Sequence, residues 1–410
     1  MSQYQLVEVN NEQLEKEWLS LPSKIYRNDK NYVRPLDQDV KKLFDPSLNK
    51  KLRKGEAVRW LLRDAQNENV GRIAAFIDPH TAKNNEQPTG GCGFFECPND
   101  HEAAKILFDA AKNWLQERGM EAMDGPVNFG DRDNFWGLLV DGFTEPVFNM
   151  PYNYPFYKDL FEQYGFQNYF NQFTFRRLIY DGGLDEKVYE KAARIQKNPD
   201  YHFENVSWKK MEKYAEDFMT IYNKSWGVIP GVKMITREHA MALLKQMKPV
   251  LDPRLAIFGY YKNEPISFFI CMQDLNQVIK DFDGQLNWIN KLKFMYRLKV
   301  KQQCTRIIGR IFGIVPEHQG KGVDGAMVLF FRDIAIQKNF KYKELQLNWI
   351  GDFNPPMIKV AVGIGGQVYK THITYRYLFD RNKPFKRAER QDSRRTKGLK
   401  DSEEHAAKPA

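Results

Sequence analysis

A chain of 410 residues, 42% hydrophobic and 28% charged, is long enough for two cores, and it has no run of eighteen apolar residues that would offer a membrane span. Its first residues are polar, without a signal-like apolar segment, and the four cysteines (Cys92, Cys97, Cys271, Cys304) fit no zinc spacing. Together these predict a cytoplasmic protein with reduced, mostly buried thiols. The net charge of +10 is uneven: from Arg381 onward ten basic residues stand against five acidic ones, in a stretch without apolar periodicity. That composition predicts a disordered basic tail over 381–410, and no nucleic-acid module is recognisable in the body.

In chain order, Gln5 to Val9 predicts a short strand and Asn11 starts a helix to Leu19. An aromatic and basic segment follows from Ile25 to Asp45. Val58 to Asp64 and Val70 to Ile77 read as a hairpin turned at Asn67-Glu68-Asn69, and Thr81 to Gly91 as a polar loop. Cys92 to Glu96 is a strand, and Asp100 caps a helix from His101 to Arg118 with Ala104, Leu107, Phe108, Ala111 and Leu115 on its apolar face. This order is that of an α/β arrangement around a central sheet. Three motifs come next: Gly125 to Phe129 (Gly-Pro-Val-Asn-Phe), Gly137 to Phe143, and Pro151 to Tyr157, ending at Gly165-Phe166. Tyr180 to Tyr201 reads as a linker carrying a helix from Glu186 to Gln196.

The pattern then repeats. A strand (Phe203 to Val206), two helices (Lys209 to Trp226, Arg237 to Gln246) and a hairpin (Arg254 to Tyr261, Pro265 to Met272) lead to Asp274-Leu275-Asn276, where the chain leaves the sheet. Gln285 to Arg310 holds seven Lys/Arg and no acid, interleaved with Trp288, Ile289, Leu292, Phe294, Met295, Tyr296 and Leu298. A segment of this kind suits an anionic membrane surface. It equally suits a helix packed on the core with solvated charges, or a channel steering an anionic ligand.

Ile311, Gly313 and Val315 form an alternating strand that stops at Pro316. Gln319-Gly320-Lys321-Gly322-Val323 follows, and then Val323, Met327, Phe330, Phe331 and Ile334 at helical spacing. A strand that turns through glycines into a helix presents unpaired backbone N–H groups, a seat for phosphate, and Lys321 adds a positive charge. Downstream, Leu345, Leu347 and Trp349 alternate with Gln346, Asn348 and Ile350 in a strand; Gly351-Asp352-Phe353-Asn354 opens a short helix, and Gly365-Gly366 leads into strands from Val368 to Phe379.

The form Ile-Val-Pro-Glu-x-Gln-Gly-Lys-Gly-Val resembles the acyl-CoA pyrophosphate loop of the GNAT (Gcn5-related) N-acyltransferase superfamily. Pro316, Gln319 and Gly322 match, Ile314 stands for the usual Val, and Asp324 stands where the family has Gly or Ala. The first-half motifs resemble those of a branch of bacterial proteins with two tandem GNAT-like halves, and Asp274 and Asn276 match that branch while Gln273 departs from it.

The resemblance implies an α/β fold of two tandem GNAT-like domains, each a central mixed sheet flanked by helices. Residues 1–180 would be a degenerate copy, 181–200 a linker helix, and 201–380 the acyl-CoA-binding domain. In the first copy Asn128, Asp131, Arg132, Asp133 and Asn134 occupy the region where the cradle is expected. Acyl-CoA as co-substrate, without a metal, would be held by Ile314, Val315, Gln319, Gly320, Lys321, Gly322 and Val323, with Asn354 on the pantetheine arm. The Tyr that often serves the family as acid would fall at Ala361, so that group is missing. Asn348, Asp352, Asp274 and Asn276 remain as catalytic candidates, with Tyr369 and Tyr377 behind them; His318 is expected to face solvent in the loop, and His372 to pack. The implied activity is transfer of an acyl group to a small-molecule or lipid amine, such as the sphingoid bases associated with some members, with peripheral contact at the inner membrane and no nucleic-acid partner. A non-catalytic GNAT-like scaffold and a FemABX-like aminoacyltransferase stand as alternatives.

Overall fold

The computed structural model describes residues 3–83, 86–129, 134–179, 184–227 and 233–389. Asp131, Arg132 and Asp133, and the tail beyond residue 389, lie outside them. The first half runs β1 (Gln5–Glu8), α1 (Glu12–Ile25), α2 (Asp37–Lys41), β2 (Glu56–Arg63), β3 (Asn69–Ile77), α3 (Pro79–Ala82) and β4 (Thr89–Glu96). It continues with α4 (His101–Gln116), β5 (Ala122–Gly125), β6 (Leu138–Asp141), α5 (Tyr157–Tyr164) and β7 (Gln167–Leu178). After α6 (Glu186–Lys197), the second half repeats the order with β8 (Tyr201–Asn205), α7 (Met211–Ser225), α8 (Arg237–Met247), β9 (Ala256–Tyr261) and β10 (Glu264–Gln273). It then adds α9 (Asn276–Ile279) and α10 (Trp288–Met295) before β11 (Arg306–Ile314), α11 (Val323–Ala335), β12 (Glu344–Gly351), α12 (Pro355–Gly363) and β13 (Gln367–Leu378).

Local chemistry sets these boundaries. The Asn11 side chain accepts from Leu14 N at 2.9 Å and starts α1, and Asp100 accepts from Glu102 N at 2.7 Å and starts α4. Lys262 and Asn263 both adopt left-handed φ (49° and 67°), the geometry of a two-residue hairpin turn between β9 and β10.

Thirteen strands form one mixed sheet in the order β1-β2-β3-β4-β5-β13-β7-β12-β11-β10-β9-β8, with β6 on β13. Each half contributes one parallel pair, β4 with β5 and β11 with β12. The halves exchange their last strands: β7 pairs with β12 of the second half, and β13 pairs with β5 of the first. The cores follow the exchange. Phe175 of β7 is buried in the second half's core, while Ile373 and Tyr375 of β13 are buried in the first half's core. Arg376 of β13 clasps Asp124 of β5 at 2.6 and 2.9 Å, and Tyr375 Oη donates to Glu162 of α5 at 2.9 Å.

Two sequence expectations change here. Thr89-Gly90-Gly91, read as the end of a loop, opens β4 and pairs with Ala122-Met123-Asp124. Arg306 to Arg310, read as part of a basic amphipathic segment, are the first residues of β11.

Candidate active site

The parallel ladder between β11 and β12 holds from Arg306↔Glu344 to Gly309↔Leu347 and ends there. Both strands run on, β11 to Ile314 against β10 and β12 to Gly351 against β7. Where they part, each carries an extra residue. Arg310 is bulged relative to β10, whose Ile270 and Cys271 pair with Ile311 and Gly309. In β12, Asn348 and Trp349 span a step that β7 crosses from Phe175 to Phe173. Bulges raise the local twist, so two back-to-back bulges splay the strands and leave a wedge between them beyond Gly309.

Asn348 stands on one wall of this wedge. Both its Nδ2 and its Oδ1 are buried without a hydrogen-bond partner among the described residues. A buried amide left unpaired costs about 1–3 kcal/mol, which is tolerated where a ligand completes it.

At the wide end of the wedge, β11 passes through Pro316 into the loop and α11. Gln319 Nε2 donates to Ile314 O at 2.9 Å and fastens the loop to the strand, while Val315 N donates to Ile266 O at 2.9 Å. Gly322 starts α11 at φ 99° with no side chain capping the helix, so the first-turn amides at Val323 and beyond stay available to an anion. Asp324 is partly exposed and makes no hydrogen bond or ion pair among the described residues. It does not plug the turn, and a carboxylate in the first helical turn suits the dipole.

The two glycines of the loop differ. A β-carbon on Gly320, at φ 73°, would meet nothing within 4 Å, whereas one on Gly322 would lie 2.6 Å from Lys191 Cβ and 2.9 Å from Lys191 C. Gly322 is therefore small because α6 crosses there, with Gly325 packed on Val188 one turn further along. Gln319, Gly320 and Lys321 are the exposed part of the cradle. No local pattern signals that the linker helix brings Lys191 to this spot.

The other candidates are placed elsewhere. Asp274 is fully buried: it accepts from Phe148 N at 2.9 Å, Asn276 N at 3.2 Å and Arg306 Nη1 at 2.9 Å. Burial pushes its carboxyl up to about 6, against the pull of Arg306. Asn276 donates to Pro146 O at 2.9 Å. The pair clamps the 146–148 segment of the first half, out of reach of a substrate. Around it Arg306 meets Glu344 at 3.3 Å, and Lys370, held near 7 chiefly by burial, donates to Thr144 O at 2.6 Å and Glu145 O at 3.0 Å. This charged clamp was not anticipated.

Asp352 is likewise engaged. Its Oδ2 accepts from Asn171 N at 3.1 Å and from Arg387 at 2.6 Å, which pins the end of β12 to β7 and to the chain beyond β13. Asn354 precedes α12 with no side-chain cap, and Ala361 is fully buried. His318 departs from expectation: its Nδ1 lies 3.0 Å from Tyr201 Oη, its ring rests against Tyr201 and Tyr261, and burial with the nearby Lys321 lowers its pKa. His372 is buried, 3.4 Å from Pro151 O. Of the catalytic candidates only Asn348 lines the wedge.

Among the described residues, no group of His, Cys, Asp or Glu is placed to hold a metal ion, and no helix is long and apolar enough to cross a membrane.

One parallel pair per half with a bulge beside it, joined in the second half by a splay and an uncapped helix start, is the layout of a tandem GNAT fold. The tandem GNAT protein from the clavulanic acid biosynthesis pathway superposes with a TM-score of 0.51 at 11% identity, over 93% of this chain and all (100%) of that one. A GCN5-related glucosamine N-acetyltransferase region in a fungal multi-domain GH3 beta-N-acetylglucosaminidase gives 0.52 at 12% identity, over 92% of this chain and 38% of that one. In sequence, the chain is 25% identical over 366 residues to the bacterial ceramide synthase of Caulobacter vibrioides, covering 88% of this chain and 94% of that protein. It is 24% identical over 369 residues to protein YghO of Escherichia coli, covering 88% and 92%. No family model matches the chain.

Proposed function

We propose that the chain is an N-acyltransferase that takes an acyl group from acyl-CoA and passes it to a long-chain amine. The observation that carries this reading is the wedge between β11 and β12, which opens at one end onto the uncapped start of α11 and holds the unpaired amide of Asn348. The donor set fits the co-substrate: helix amides and Lys321 match a diphosphate, and the unpaired strand edges match the two amides of a pantetheine arm. Bound there, acyl-CoA supplies an activated thioester.

The chain's own groups orient and exclude. Asn348 Nδ2 is free to donate toward the thioester carbonyl and Oδ1 to accept from the incoming amine, which holds the two in line. A carboxamide cannot take a proton at neutral pH, so Asn348 is a positioning group and the amine's proton leaves through water. The fully buried Ala361 leaves nothing to act as acid from α12. The likeness to the bacterial ceramide synthase supports the choice of a long-chain acceptor.

Calorimetry with CoA, and thiol release from a long-chain acyl-CoA with sphinganine against a small amine, test the reading. Asn348→Ala is expected to lower kcat/KM by about 10- to 100-fold, worth about 1.4–2.7 kcal/mol of transition-state stabilisation. It should leave the melting temperature unchanged or raised, because it removes a buried unpaired amide. A wild-type protein that neither binds CoA nor releases thiol would make the chain a scaffold.

A further inference from the structure

Between Gln285 and Gln303 the chain carries no acid, and its helix is anchored lightly. Leu298 is buried and Phe294 packs on the second core, while Arg297 donates to Val278 O at 2.8 Å and to Asp281 at 2.9 Å. The opposite face is bare. Trp288 is 71% exposed, Leu292 63% and Val300 67%, with Ile289, Met295 and Tyr296 exposed among them. These residues recur at three- and four-residue intervals, and the π-helical turn from Tyr296 to Val300 keeps Val300 in line with the others. Single exposed apolar side chains are ordinary, but six on one helical stripe mark a surface that is covered in use.

Charge decides what covers it. Lys291, Lys293, Lys299 and Lys301 flank the stripe, and none is paired with a carboxylate among the described residues. Protein interfaces are depleted in Lys, whereas lysines beside a stripe of Trp, Leu and Met are the pattern of a helix lying in a lipid headgroup layer. The position agrees. Only residues 301–305 separate this helix from β11, so it sits at the end of that strand away from the loop at 316–323, about 30 Å along the nine-residue strand.

We propose that α10 and the turn after it dock the protein on an anionic lipid bilayer, with Trp288, Leu292 and Met295 in the headgroup layer and the four lysines among anionic headgroups. The bilayer would then lie at the opposite end of β11 from the loop that holds the CoA diphosphate in water. That last step rests on the acyltransferase reading; the docking does not.

The test uses the full chain and vesicles of phosphatidylcholine with or without about one-third phosphatidylglycerol, without CoA. Wild-type protein is expected to co-sediment with anionic vesicles, to release in high salt, and to bind neutral ones weakly. Leu292→Glu, and separately Lys291→Glu with Lys293→Glu, are expected to weaken binding at least tenfold. Turnover of a short, water-soluble amine should be unchanged in both variants. The basic C-terminal tail is common to all three proteins, so a difference between them belongs to α10. Wild type that ignores anionic vesicles, or variants that bind as well as wild type, would overturn the proposal. So would a concentration-dependent dimer dispersed by Leu292→Glu, which would assign the stripe to a second copy of the chain. Vesicle binding without CoA binding would sink the acyltransferase reading and leave the docking standing; CoA binding without vesicle binding would do the reverse.

Discussion

In the first half, β4 and β5 pair in parallel over Thr89 to Gly91, and β4 then bulges at Phe94, whose φ is +53°, as β11 bulges at Arg310. The same wedge could open there, but the chain fills it. After β5 it turns back along β4, Val127 N donates to Cys92 O at 2.8 Å, and Val127 and Phe129 are buried against Phe76. The helix that follows is closed too, since Asp100 accepts from Glu102 N at 2.7 Å and Ala103 N at 3.3 Å and takes the Tyr4 hydroxyl at 2.8 Å. In the second half, β11 and β12 are not paired beyond Gly309 among the described residues, and α11 starts at a glycine with no side-chain cap. At this place one repeat pairs its polar groups internally, whereas the other leaves the Asn348 amide and the first-turn amides of its helix without a side-chain partner among the described residues. The strand exchange ties the second to the first, so the satisfied half helps hold the unsatisfied one in shape.

The comparison breaks most visibly at Gly93. A β-carbon there would fall 1.7 Å from Val127 O, which is backbone and cannot step aside. Gly93→Ala is expected to destabilise the protein by about 3 kcal/mol or more, read as a shift of the urea midpoint. Gly320→Ala, facing open space at φ 73°, should cost only about 1 kcal/mol.

The exchanged strand carries the next effect. His372 on β13 is held neutral by burial and the nearby Lys370, which lower its pKa to about 3 from an ordinary 6.5. The unfolded chain therefore binds the extra proton between those values, so this group's contribution is intact above pH 6.5 and is lost as the pH falls. The slope is at most about 1.4 kcal/mol per unit. Asp274 opposes it over a narrower window: its carboxyl is raised to about 6, which favours the folded state as the pH falls through that value. Denaturant titrations from pH 7 to 4 should show a shallower loss in His372→Gln than in wild type. Parallel curves would mean that His372 does not carry the slope.

Much of this architecture can be read along the chain, because hairpins, caps and the strand–loop–helix passage at 311–334 are local. The exchange of β7 and β13 is not local. Each is a strand by pattern, but which parallel pair it joins is settled by packing between residues about two hundred positions apart. Thr89-Gly90-Gly91 is hidden for a different reason: strand glycines weaken the pattern, and Gly91 leaves room for Phe76 as Gly93 does for Val127. The first half's counterpart of the loop is the turn at 97–100 between β4 and α4, whereas from sequence it is expected at 128–134. His318 and Asp274 look like free polar residues until Tyr201, Tyr261 and Arg306 arrive from elsewhere. Asn348 is legible as the polar phase of a strand, but the two bulges that leave its amide unpaired are not.

The sharpest form of the comparison is a reciprocal pair of variants at the two helix starts. Asp100→Ala removes a cap and the partner of Tyr4, which should cost about 1–2 kcal/mol of stability and leave CoA affinity untouched. Lys321→Glu changes an exposed residue with no ion pair, so it should move stability by no more than about 0.5 kcal/mol. It places a negative charge beside the expected diphosphate and should weaken CoA about tenfold, near 1.4 kcal/mol, with a loss that shrinks as salt is added. Thermal melts and calorimetry on the same two preparations would show opposite signatures if one half is scaffold and the other is site. If Asp100→Ala weakened CoA while Lys321→Glu did not, the ligand would sit on the first half, and the filled wedge there would have to open.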